Sequence, residues 1–339
     1  MGAVTFLFNG QKYTANAGDS IAAALAMDSK ARLGWRRNGE ARGHFCGMGV
    51  CHDCLVTVDG QRGVRACMTP VIPDMSVQSE HECHFADQTE PSKPLPSRDI
   101  KAEIVVIGAG PAGLTAAVRA ATAGADVVVL DERGEPGGQY FKPRSDGFRG
   151  EAGPDRQHRR GDDLRARAVS SGARIFSSQI VWFARADDSG FELRSIGITQ
   201  GLRLRARAVI IATGAYEYPA IVPGWTLPGA MTIGAAQTLI RRYGVAPGGQ
   251  VLIAGHGPLG LQLVAELVAL NTNVVALAER GRPGIGPAAV AAAIAAPRLI
   301  ADGARYRFAA FRARVPVLSG WELCTIFGKD RVEGAELRQ

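Results

Sequence analysis

Four of the six cysteines fall within a short stretch: Cys46, Cys51, Cys54 and Cys67, in the spacing C-x4-C-x2-C-x12-C. Thiolates gathered like this bind metal, and a chain read as cytosolic has little use for a disulfide framework. Two irons bridged by two sulfides need four thiolates, two on each iron. Three thiolates from one tight loop require a backbone that curls around the metal. Gly47 and Gly49 supply that freedom, together with unblocked N–H groups for the sulfides. Cys67 brings the fourth thiolate from a later strand. Zinc competes, because four thiolates also suit a closed tetrahedral site. Zinc sites usually come as two C-x2-C knuckles, and only one is present.

The first three cysteines match the plant-type ferredoxin loop, which favours a 2Fe–2S cluster. Cys83 and Cys324 have no partner at ligand spacing and read as ordinary thiols. His44 and His52 flank the loop as surface residues or as residues behind the ligands. His81, Cys83 and His84 lie in a linker-like stretch and are not read as a metal site.

A second chemistry resides in Gly108-Ala109-Gly110-Pro111-Ala112-Gly113, a G-x-G-x-x-G between an apolar run and a helical pattern. Asp131 follows 23 residues after Gly108, where a carboxylate accepts hydrogen bonds from ribose hydroxyls. The helix N-terminus beyond Gly110 offers free N–H groups to a pyrophosphate. Gly137-Gly138-Gln139 follows closely after Asp131 and Glu132. Val209-Ile210-Ile211-Ala212-Thr213-Gly214 reads as a strand ending in A-T-G. Gly255-His256-Gly257-Pro258-Leu259-Gly260 is a second G-x-G-x-x-G. Its acid is displaced: Ala278 stands 23 residues on, and Glu279 follows. Glu279 could reach a ribose, and Arg280 and Arg282 a phosphate. This site reads equally as a nicotinamide site, NAD(P) or other, and as a retained fold that has lost it.

These residues need elements to hold them. Asn9-Gly10 and Asp59-Gly60 are hairpin signals between strand-like runs. Asp19 or Ser20 can cap a short helix, Ile21 to Met27. Together they predict a β-grasp ferredoxin-like domain over residues 1–84. The proline-rich 85–99 reads as an extended linker that ties this domain on without rigid packing. Residues 100–218 read as the first part of an FAD-binding domain, with strand 104–107, helix 112–123 and strand 126–130. Residues 219–339 repeat the design, with strand 250–254, helix 261–270 and strand 273–277. The fold class is therefore α/β, with two doubly wound, Rossmann-like domains, the last incomplete.

The composition agrees. The chain has 339 residues, 46% hydrophobic and 21% charged, which excludes a disordered chain, a fibre and a disulfide scaffold. The net charge is 39 − 32 = +7. No nucleic-acid motif accompanies it, so an anionic cofactor or acidic partner protein explains it better, the arginine-rich run from Arg156 to Arg160 included. No apolar run reaches membrane-spanning length and no signal peptide is evident, so the chain reads as cytoplasmic.

The set of Asp131, Gln139 and Thr213 with the first glycine motif resembles the FAD domain of the pyridine nucleotide–disulfide oxidoreductase group, and those three fall on its flavin-contact positions. That group's redox cysteine pair is absent. Residues 42–71 resemble the small 2Fe–2S subunits of opine oxidases, hydroxyproline dehydrogenases and hydrogen cyanide synthases. Residues 101–339 resemble their flavoprotein partner. The fusion resembles the α subunit of heteromeric sarcosine oxidase. The resemblance implies an electron-transfer subunit of an amine or imino-acid dehydrogenase or oxidase, carrying FAD and the cluster. It implies a partner flavoprotein of the amine-oxidising β type, and a further small subunit. Relatives continue beyond Gln339 with a return segment, so the chain reads as truncated or completed by another chain. Two rival readings stay open: a self-contained NAD(P)H-dependent reductase, and a cofactor-poor assembly scaffold. No catalytic acid or base is assigned.

Overall fold

The computed structural model describes residues 2–28, 31–80, 94–151, 153–281, 291 and 294–339. His81, Cys83, His84, most of the expected linker and Arg282 lie outside them. The chain divides into two compact units. One holds Met1–Phe85, Ser145–Gly150 and Glu217–Gln339; the other holds Ala86–Arg144 and Glu151–Tyr216.

In the first unit, strands β1 (Ala3–Phe8) and β2 (Gln11–Asn16) meet at Asn9 and Gly10, both at positive φ (50° and 78°). That is the backbone an Asn-Gly hairpin turn demands. Ser20 caps α1 (Ile21–Leu25), its hydroxyl accepting the Ala23 N–H at 3.2 Å. Asp19, the other candidate cap, does different work: it is fully buried and receives Arg149 at 3.0 and 2.5 Å. The short pair β3 (Gly34–Trp35) and β4 (Ala41–Arg42) leads into the cysteine loop. Next come β5 (Leu55–Val58), β6 (Gln61–Arg65) and β7 (Ser76–Ser79). The sheet order is β2-β1-β7-β5-β6, with β7 parallel to β1. Phe6, Phe8, Ile21, Leu25, Val56 and Val77 fill the space between sheet and helix.

The second unit is one six-stranded sheet in the order β10-β9-β8-β13-β12-β11. Its members are β8 (Ser97–Ile107), β9 (Val127–Leu130), β10 (Arg174–Phe176), β11 (Ile180–Asp187), β12 (Gly190–Ile196) and β13 (Gly201–Ile211). β10, β9, β8 and β13 run parallel, and β12 and β11 add an antiparallel hairpin. β8 begins at Ser97, not at Ile104 as the apolar run predicted, and pairs with β13 from Ser97 to Ile107. Residues 97–99 of the expected linker are therefore strand. Helices α2 (Pro111–Thr122) and α3 (Arg156–Ser170) flank the sheet, and Leu114 and Ala117 pack on Val106, Val127 and Val129. The arginine run from Arg156 is the first turn of α3, capped by Asp155.

The remainder of the first unit begins with α4 (Ile233–Thr238) and a π-helical turn, Leu239–Tyr243, closed by Gly244 at φ 67°. A three-stranded parallel sheet follows, β14 (Gln250–Gly255), β15 (Asn273–Glu279) and β16 (Val317–Ser319). It carries α5 (Pro258–Ala269) and α6 (Pro297–Arg312), and the hairpin β17 (Glu322–Phe327) and β18 (Gly334–Arg338) comes last. The sequence reading left the ferredoxin-like domain loosely tied. In the structure it shares one compact unit with 217–339 instead. The reason is tertiary: Ser145–Gly150 bonds to both parts. Asn16 donates to the Gly147 carbonyl at 2.7 Å, and the Ser145 N–H donates to the Arg242 carbonyl at 2.9 Å.

Candidate functional site

The cysteine loop turns through Gly47 and Gly49, at φ 63° and 81°, a left-handed backbone that glycine enters freely. Cys46, Cys54 and Cys67 are almost fully buried and Cys51 half so. Their thiols meet in sequence: Cys51 on Cys46, Cys46 on Cys67, Cys67 on Cys54. Hydrogen bonds from Cys51 and Cys67 hold Cys46 well below the ordinary thiol range. Cys67 does the same for Cys54. Cys51 and Cys67, which give those bonds and lose solvation, are pushed up. Metal binding takes all four cysteines as thiolates and releases their protons. The Met48 N–H donates to the Cys46 sulfur at 3.4 Å. The buried donor set therefore fits a 2Fe–2S cluster.

The loop is seated on residues 225–235. The Thr232 N–H donates to the Phe45 carbonyl at 2.9 Å, and Phe45 meets Trp225 edge-on at 4.6 Å. A Cβ on Gly47 would sit 3.0 Å from the Ala235 Cα. His44 is half-buried, with its ring nitrogens shielded from solvent. His52 is exposed and adopts φ 61°.

The first glycine motif lies where β8 enters α2. Gly108 has φ 100°, and a Cβ there would overlap the Ala212 carbonyl. A Cβ on Gly113 would overlap the Gly108 carbonyl, so helix and strand close only with glycine. Gly138 faces Gly110, and a Cβ on Gly138 would lie 2.8 Å from the Gly110 Cα. Pro111 starts the helix, where its missing N–H costs nothing. Asp131 is 7% exposed, and its two carboxylate oxygens accept N–H groups from Ala109 (2.5 Å) and Arg133 (2.8 Å). Thr213, Gly214, Gln139 and Ala112 are exposed around this cradle. The Ala212 N–H donates to the Ile107 carbonyl at 2.8 Å, holding A-T-G beside the loop. The narrow glycine cradle with a fixed carboxylate fits the dinucleotide of FAD. Tyr216, which the sequence reading missed, donates its hydroxyl to Glu132 at 3.4 Å.

Residues 102–311 match the family described as pyridine nucleotide-disulphide oxidoreductase, which is more than half of the chain. The chain belongs to that family. Residues 2–82 match the 2Fe-2S iron-sulfur cluster binding domain, so this oxidoreductase carries a fused ferredoxin-like module. The cofactors of the two domains are a 2Fe–2S cluster and FAD. An opine oxidase subunit of Agrobacterium tumefaciens is 41% identical over 174 residues, 49% of this chain and 34% of that protein. The HcnA subunit of hydrogen cyanide synthase from Pseudomonas aeruginosa is 46% identical over 77 residues, 23% of this chain and 74% of that protein. The chain thus spans about a third of the length of the opine oxidase subunits it matches. The crystal structure of L-proline dehydrogenase from P. horikoshii superposes with a TM-score of 0.67 at 20% identity, covering 84% of this chain and 55% of that one. That likeness is one of fold.

Within this oxidoreductase the second glycine motif differs from the first. Gly255 ends β14, Gly257 has φ 105°, and α5 starts at Pro258, three residues before the expected Leu261; Gly260 is buried against Leu277. Here the acid has an arginine partner. The Glu279 carboxylate, 13% exposed, pairs with Arg307 of α6 at 3.4 Å. Arg280 pairs with Glu322 at 3.4 Å. The His256 ring lies over Gly281, where a Cβ would come within 2.8 Å of its Nδ1. No helix among the described residues is long and apolar enough to cross a membrane.

Proposed function

We propose that this chain is the electron-transfer subunit of a multisubunit amine or imino-acid dehydrogenase or oxidase. The observation that carries the reading is the pairing of two built cradles on one chain: four contacting thiols, and a glycine loop with a fixed carboxylate. Cys46, Cys51, Cys54 and Cys67 are the proposed cluster ligands. Gly108, Gly110, Gly113 and Gly138 let backbone approach the pyrophosphate, and the N-terminus of α2 directs its N–H groups there. Asp131 receives ribose hydroxyls on its remaining lone pairs. When bound, FAD supplies two-electron chemistry and the cluster takes electrons singly. With no cysteine between Cys83 and Cys324, this chain performs no disulfide exchange of its own near the flavin.

The amine-oxidising step belongs, in this reading, to a partner flavoprotein. A cytoplasmic location and a further small subunit are part of the same proposal. A nicotinamide at the second motif is not, because Arg307 competes for Glu279. The absorption spectrum of the purified protein tests the reading. Flavin and cluster bands that NAD(P)H leaves unbleached support it. Flavin bleached by NAD(P)H makes the chain a self-contained reductase. A colourless protein makes it a scaffold.

A further inference from the structure

In the cysteine loop the Met48 N–H turns to the Cys46 sulfur, while the Gly49 and His52 carbonyls face arginines. Two arginines receive those carbonyls: Arg65 donates from Nη1 to Gly49 at 3.0 Å, and Arg42 from Nη1 to His52 at 3.4 Å. Gly49 lies between Cys46 and Cys51, and His52 between Cys51 and Cys54. A third, Arg36, reaches Asp53 at 3.4 Å and bonds Thr226 at 3.0 Å.

Arg42 stands apart from the other two. It is 5% exposed, and its Nε and Nη2 find no acceptor among the described residues. A guanidinium so deprived of water requires a counter-charge. Asp53, also 5% exposed, pairs with Arg36 at 3.4 Å, and Arg42 makes no ion pair among the described residues. With Asp53 engaged by Arg36, the charge of Arg42 is left over beside the cysteine loop. A 2Fe–2S cluster on four thiolates is a dianion when oxidised and a trianion when reduced. It supplies the missing counter-charge, more fully after reduction.

We propose that Arg42 is a positioning residue that sets the reduction potential of the cluster: it holds the His52 carbonyl and offsets the charge of the added electron. This rests on the reading of the loop as a 2Fe–2S site. Reduction adds one electron to the cluster, taken from dithionite in the test, and makes or breaks no bond in the protein.

The experiment is an anaerobic redox titration of the full chain, followed by cluster absorbance and by the paramagnetic signal of the reduced state. Iron and labile sulfide are counted in each sample. Arg42→Gln should shift the equilibrium toward the oxidised cluster at least tenfold, which is 59 mV for one electron. Arg42→Lys, which keeps the charge, should stay within about threefold of the parent. Asp53→Asn should shift the equilibrium the opposite way. If Arg42→Gln loses its cluster, the other two variants decide by the same criteria. A full cluster in Arg42→Gln with the parent's potential overturns the proposal. So does Arg42→Lys moving as far as Arg42→Gln, since packing and not charge would then be responsible. A parent that holds zinc and no two-iron signal removes the loop reading itself, and that is seen before any variant is made.

Discussion

Cys54 is 1% exposed and its thiol meets that of Cys67, as a ligand shared with it in one buried set would. Cys54→Ala should abolish the cluster absorption. Flavin should stay bound, because Cys54 and Asp131 belong to different compact units. A variant that keeps a full cluster removes Cys54 from the ligand set. Asp131→Ala should weaken FAD by about 1.5–3 kcal/mol, the range for hydrogen bonds to a charged group. That is roughly 10- to 150-fold in Kd. Retention of FAD through extended dialysis, as tight as in the parent, would contradict the ribose role. Tyr13 reports on pH. Burial and its hydrogen bond to Asp28 push its pKa up from 10.0 to about 12. The folded state therefore holds the proton more tightly than the unfolded state. Its contribution to stability is complete below pH 10 and is lost as pH rises through 12. The stability gap between parent and Tyr13→Phe should be flat below that window and close within it, as read by denaturant midpoints.

At the scale of elements, the joint between the ferredoxin-like module and the rest of its unit rests on a buried ion pair. Asp19 is fully buried and Arg149 is 26% exposed, and the pair closes Ser145–Gly150 over α1. Arg149→Ala leaves a buried carboxylate without its partner, a loss of about 3–5 kcal/mol for a fully buried pair. The partial exposure of Arg149 places the expected loss near the lower end, about 3 kcal/mol. Limited proteolysis should then cut at 145–150, and an unchanged cleavage pattern would contradict the joint. Nothing in the local sequence announced it. The two hairpin turns were legible because Asn-Gly and Asp-Gly state their own backbone geometry. The four cysteines and the glycine loops were legible because metal and pyrophosphate chemistry constrain spacing. The start of β8 was hidden, since Ser97 to Glu103 is polar and extended only through its pairing with Gly201 to Arg207. The seat of the cysteine loop on 225–235 and the pairing of Glu279 with Arg307 were hidden for the same reason. Each joins residues far apart in sequence, and no periodicity encodes such a contact.

On the scale of the whole molecule, two cradles of different chemistry sit on one chain that spans about a third of its opine oxidase relatives. The first glycine loop has its carboxylate bonded to the loop, and the acid after the second, Glu279, pairs with Arg307. The net charge of +7 suits docking to acidic subunits. The proposed function places amine oxidation on a partner and single-electron carriage on this chain. The measurement that tests this most directly is an anaerobic mixture of the purified chain with sarcosine, proline, hydroxyproline or an opine. Flavin bleaching and the paramagnetic signal of the reduced cluster are followed together. The account predicts no reduction by any of these amines alone, and appearance of the cluster signal once the partner flavoprotein is added. Rapid reduction of the flavin by an amine with no partner present would place the active site on this chain and contradict it.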